Sequence, residues 1–159
     1  KLKKLHGISG IRRTLLECAA LLHEVGEDVN AKSTTGATYD LIRQSYFYGL
    51  NEEETTLVAE IAGFGGEDGF SGSVRPMGEK QRLLTDKLTA ILMLANALDE
   101  AHGGKIEELK LRLDEKTLSI TARGTEEMLL EKWALEESTP FFEEVFGVHP
   151  VFTGKNRLF

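Results

Sequence analysis

The sequence predicts an α+β fold that is mainly α: a helical body over residues 1–104, then a small antiparallel sheet with one or two helices over residues 105–159, in ββαβ-like order and packed as one structural unit. Three observations predict it. Apolar residues recur at helical spacing as far as His102, the period drops to two from Leu109, and it turns helical again after Thr125. Composition agrees: 159 residues can bury a sizeable core, and 41% hydrophobic with 28% charged residues is an ordinary balance for a folded globular chain.

The first helix is expected at Ile11–Gly26. Ile11, Leu15, Cys18, Ala19, Leu22 and Val25 form one apolar stripe, with Ser9 as N-cap and Gly26 as the stop. Polar residues 27–35 read as a loop, and 38–45 as a short helix with Tyr39, Leu41 and Ile42 inward. Asn51 and Glu54 have the spacing of a capping pair for a helix that buries Leu57, Val58, Ile61 and Ala62 and stops at Gly63. Glycines crowd residues 63–78; this segment lacks the GK[ST] ending of a phosphate loop and no strand precedes it, so a surface loop is expected. The longest helix, Glu79 to His102, presents Leu84, Leu88, Ile91, Leu92, Ala95 and Leu98, and Gly103–Gly104 end it. Leu109, Leu111 and Leu113, then Leu118, Ile120 and Ala122, alternate with polar residues as two strands of a hairpin turning at 114–116. Thr125 caps a helix over 126–137, Thr139-Pro140 begins a further turn or two, and Val148–Phe152 is a third strand beside the hairpin. Trp133, Phe141, Phe142 and Phe146 are expected as core or interface anchors.

A net charge of −7 argues against general DNA or anionic-membrane binding, which needs a basic field. No apolar run approaches a membrane span, and the single cysteine, Cys18, excludes an internal disulfide or cysteine-built zinc site, which suits a cytoplasmic location. The chain begins at Lys1 without a methionine, and is expected to be a fragment of a longer protein. Asp99 to His102 spells DEAH, the name of a helicase motif, but without a helicase nucleotide loop the match is chance.

The segments LLHEVG (21–26), TYDLIRQS (38–45), LMLANALDEAH (92–102) and EKWALEESTPFFEEVFG (131–147), in this order, carry a likeness to a known family. The chain resembles the C-terminal region of exopolyphosphatases and guanosine pentaphosphate phosphatases (Ppx/GppA) over nearly its whole length. The resemblance implies an HD-like helical domain that follows two actin-like domains of the same parent chain. Those domains bind a divalent metal, Mg or Mn, and hydrolyse the terminal phosphoanhydride. It also implies a homodimer and contact with polyphosphate. No strand-and-glycine phosphate loop is visible here, so no catalytic residue is assigned, and no cofactor is expected in this chain.

His23 matches the HD motif histidine, and Glu24 stands where the Asp is usual. Asn96 takes the place of the Asp in the LADALD-like segment, with Asp99 close behind it. A neutral amide is a weak ligand for a hard cation, so the metal site formed by His23, Glu24, Asn96 and Asp99 is expected to be degenerate and the domain to act as a scaffold. The bland reading of His23 is a hydrogen-bonded histidine lining the core. Lys4, Arg12, Arg13, Lys80 and Arg82 are the candidates for neutralising polyphosphate. Two alternatives stay open: a self-sufficient HD-type metal phosphohydrolase using those four residues, and a non-catalytic nucleotide- or phosphate-binding module.

Overall fold

In the computed structural model, which describes residues 3–26, 34–63 and 78–156, helices dominate and one small sheet follows them. The elements are α1 (Lys3–His6), α2 (Ile11–Leu22), α3 (Thr34–Gln44), α4 (Glu52–Gly63), α5 (Glu79–Ala97), β1 (Ile106–Asp114), β2 (Thr117–Gly124), α6 (Leu129–Phe146) and β3 (His149–Asn156). The mainly helical α+β class is therefore as the sequence predicts. The glycine-rich loop expected at 63–78 lies outside the described residues, apart from its two end residues. Two compact units divide the chain, Ile8–Leu92 and Met93–Phe159 together with Lys1–Gly7, and the division falls inside α5.

In the unit Ile8–Leu92, α4 packs on both α2 and α3. Its sequence explains the central place: Leu57, Val58, Ala59, Ile61 and Ala62 are all buried, while the three glutamates Glu52, Glu53 and Glu54 are gathered in the first turn. Leu15 and Ala19 of α2, Ile42 of α3, and Leu88 and Leu92 of α5 complete the core. The capping pair forms as the spacing requires. Asn51 Oδ1 accepts from the Glu54 N–H at 2.9 Å, and Glu54 Oε2 accepts from the Asn51 N–H at 3.0 Å. The ends of α2 differ from expectation. Gly10, with φ 61°, takes the N-cap position in place of Ser9, and the helix stops at Leu22, so Ile11 and Val25 at the ends of the stripe are exposed. In α3 the helix starts four residues earlier than expected, at Thr34.

Glu60 lies on α4 among these apolar residues, and its Oε2 is buried without a hydrogen-bond partner among the described residues. Burial pushes its pKa above the usual carboxylate value, and the charge of Arg43 only partly opposes this. A raised folded-state pKa means that the ionised form costs stability above that pKa, and that the cost disappears once the pH falls below the unfolded value. Glu60→Gln is therefore expected to melt higher than the parent chain at pH 7, with the gap closing as the pH is lowered into the ordinary carboxylate range. A gap that is constant with pH in thermal melts would show that Glu60 ionisation costs the fold nothing.

The other unit is built on the sheet, in order β1-β2-β3. β1 and β2 form the expected antiparallel hairpin, closing with Asp114 opposite Thr117. The expected all-antiparallel sheet is corrected here: β3 pairs parallel with β2, Thr117 opposite His149 through Gly124 opposite Asn156. The reason is α6. It is one helix where two pieces were expected, it carries Pro140 inside it, and a helix of this length returns the chain to the starting end of β2. Its N-cap position is Met128, not Thr125. Gly147 ends it in the left-handed conformation (φ 66°), its N–H bonded to the Glu143 carbonyl.

Directly opposed residues share a face, so Leu109, Leu111 and Leu113 continue the face formed by Ala122, Ile120 and Leu118. β2 buries that face, but β1 does not: Leu109 and Leu113 remain 41% and 40% exposed. The buried side of α6 consists of Glu131, Ala134, Leu135, Thr139 and Phe142, and α6 packs on β3. Trp133, an expected core or interface anchor, is 58% exposed, whereas Phe142 fills the core.

Candidate functional site

The four HD-type residues fall in two units, His23 and Glu24 in one and Asn96 and Asp99 in the other. His23 follows the last turn of α2, as its C-cap. Its Nδ1 lies 2.9 Å from the Ala20 carbonyl oxygen, and its Nε2 lies 3.2 Å from Glu24 Oε1. The ring thus lies between a backbone carbonyl on its own helix and the carboxylate of the next residue. Glu24 is turned to its neighbour histidine in the same way. The backbone around them is tied down by Thr38, which is fully buried on α3. Its hydroxyl donates to the His23 carbonyl at 3.3 Å and accepts from the Gly26 N–H at 3.1 Å, so one side chain satisfies two of the backbone groups left open at a helix end.

In the other unit, Asn96 is on the last turn of α5 and Asp99 lies in the turn beyond it. The long helix stops at Ala97, five residues short of the expected His102. Asp99 Oδ1 accepts from the Gly104 N–H at 3.2 Å, and the Asp99 carbonyl accepts from His102 N–H at 2.7 Å. His102 adopts φ 47°, a left-handed conformation at which a turn and not a helix continues. Asp99 thus holds the chain reversal into β1.

Among the described residues, no three His, Cys, Asp or Glu side chains come together in a way that could hold a metal ion. The chain matches the family model of Ppx/GppA phosphatase, domain III, over residues 3–139, most of its length. The chain belongs to the Ppx/GppA phosphatase family. No curated protein is similar enough in sequence to match it.

Among the basic residues that the Ppx/GppA likeness singles out, Arg12 and Arg13 are exposed on α2, and Lys80 and Arg82 are exposed on the first turn of α5. Arg13 donates to Glu17 at 2.8 Å, a surface pair one helical turn apart. Lys4 belongs to α1, in the other unit. No described helix is long and apolar enough to cross a membrane.

Sequence reasoning missed two groups. Thr38 was read only as the start of a helix; a threonine at an otherwise inward position of that helix was the available signal. Glu131 was read as one acid among many, yet its side chain is only 2% exposed and its Oε1 lies 3.4 Å from Lys105 Nζ. Its spacing from Met128, Ala134 and Leu135 places it on the apolar face, and that was legible.

Proposed function

We propose that this chain is the accessory C-terminal domain of an exopolyphosphatase-like phosphatase, contributing to dimerisation and to guiding polyphosphate, while the actin-like domains of the parent chain carry the metal and the chemistry. The observation that carries this reading is the domain III match over residues 3–139. The place of His23 at the end of α2, between the Ala20 carbonyl and Glu24, supports the scaffold part of this reading. The metal of the parent enzyme, Mg or Mn, belongs to the actin-like domains, and the setting is cytoplasmic. DNA is not the partner: a chain of net charge −7 needs local clusters of Arg and Lys to hold any polyanion. Lys4, Arg12, Arg13, Lys80 and Arg82 are the groups assigned to phosphate.

The test is a titration of the chain against fluorescently labelled polyphosphate at low salt, with phosphate release assayed in parallel in the presence of Mg or Mn. Saturable binding without release is expected. Replacing Arg12, Arg13, Lys80 and Arg82 together by alanine should weaken binding by about tenfold and flatten its salt dependence. Release by the chain alone would overturn the accessory reading in favour of a self-sufficient hydrolase; unchanged binding by the alanine variant would remove these residues from the path of the polymer.

A further inference from the structure

β1 is a nine-residue strand that, among the described residues, pairs with β2 alone, so one long edge of backbone donors and acceptors is unmatched by the sheet. Long unpaired edges template pairing with another chain. On one face of this strand stand Leu109, Leu111 and Leu113, which β2 continues as a buried surface, while Leu109 and Leu113 themselves stay 41% and 40% exposed. On the other face stand Glu108, Lys110, Arg112 and Asp114, in the sign order minus, plus, plus, minus. Within the strand, Lys110 lies 3.1 Å from Glu108 and Arg112 lies 3.8 Å from Asp114.

We propose that β1 pairs edge to edge with β1 of a second copy of this chain, antiparallel about a two-fold axis at Lys110. This names the interface of the homodimer and rests on the dimer reading above. The choice of axis follows from the charges. An axis at Leu111 would set Glu108 against Asp114 and Lys110 against Arg112, like against like. An axis at Arg112 would match Lys110 with Asp114 but align only the last five residues of the strand. The axis at Lys110 alone brings the full length of β1 into the pair, the bulge between Ile106 and Glu108 of each copy falling opposite Leu113 and Asp114 of the other. It sets Glu108 of each copy opposite Arg112 of the other and Leu109 opposite Leu111, twice each by symmetry. The one like pair, Lys110 with its own copy, sits on the axis, where two long side chains diverge into solvent, each with its own Glu108 beside it. The two three-stranded sheets then become one sheet of six, with Leu109 and Leu111 of the two copies adjoining across the axis.

The experiment is sedimentation equilibrium on the 159-residue chain, with circular dichroism as the control for folding. A dimer is expected. Arg112→Glu, at a side chain 83% exposed in the single chain, should weaken it by about tenfold or more, because both cross-copy pairs become repulsive. Adding Glu108→Arg to that variant reverses both signs and should restore the dimer. A wild-type chain that stays monomeric at about 100 μM would overturn this interface and the dimer reading together. A dimer indifferent to Arg112→Glu, or not rescued by the double reversal, would overturn the β1 interface and leave the dimer reading standing.

Discussion

Replacing Lys105 by methionine is expected to destabilise the sheet-bearing unit by about 3–5 kcal/mol, because it strands a buried carboxylate. Glu131 has one oxygen 3.4 Å from Lys105 Nζ and the other buried without a hydrogen-bond partner among the described residues, so the ammonium is the visible compensation for its charge. The expected loss is a large share of the ~5–15 kcal/mol by which a domain is stable. The companion variant distinguishes charge from packing. Lys105→Met combined with Glu131→Leu removes both charges and should recover most of the loss, since an apolar pair of similar volume is often as stable as the ion pair it replaces. Urea unfolding followed at Trp133, the single tryptophan and two residues from Glu131, reads both. A loss below about 1 kcal/mol in the single variant would mean that Glu131 finds its solvation elsewhere.

The second large effect is expected at Gly124, the last residue of β2. A Cβ there would run into the Lys105 carbonyl oxygen and the Met128 Cε, and a backbone oxygen cannot swing aside as a side chain can. Gly124→Ala should cost about 3 kcal/mol, at the upper end for overpacking, since it forces the start of β1 away from the sheet. Gly154, its neighbour on the same face of the sheet, is the control. A Cβ there would meet Met128 Cβ at 3.4 Å and Met128 Sδ at 3.5 Å, ordinary contact distances, so Gly154→Ala should cost less than about 1 kcal/mol. Equal losses in denaturant titrations of the two variants would contradict the close approach.

Much of this was legible in the sequence for a simple reason: periodicity reports burial. α4, the hairpin and the Asn51–Glu54 cap followed from apolar spacing and from side chains that bond to their own backbone, both local properties. The parallel placement of β3 was not local. It depends on α6 running unbroken through Thr139-Pro140, where the proline falls on the exposed side of the helix. The exposure of Leu109, Leu113 and Trp133 was equally invisible, since an alternating strand and an apolar helix position look the same whether or not a partner covers them. At the HD-type positions, His23 and Glu24 are adjacent in sequence and could be named from it. Sequence reasoning missed Thr38, whose role is to join two elements and so has no signature within either.

The continuity of α6 bears on where this domain can be divided. The family match ends at residue 139, in the middle of that helix, one residue before Pro140. The remaining stretch supplies Phe142 and Val148 to the buried interior and then the strand that flanks β2. A protein cut at the limit of family similarity would leave β2, now the central strand, with a bare edge and half a helix without its anchor. The heritable pattern and the cooperative unit therefore have different borders, and an autonomous version of this domain has to be drawn from the hydrogen bonds of β3 outward.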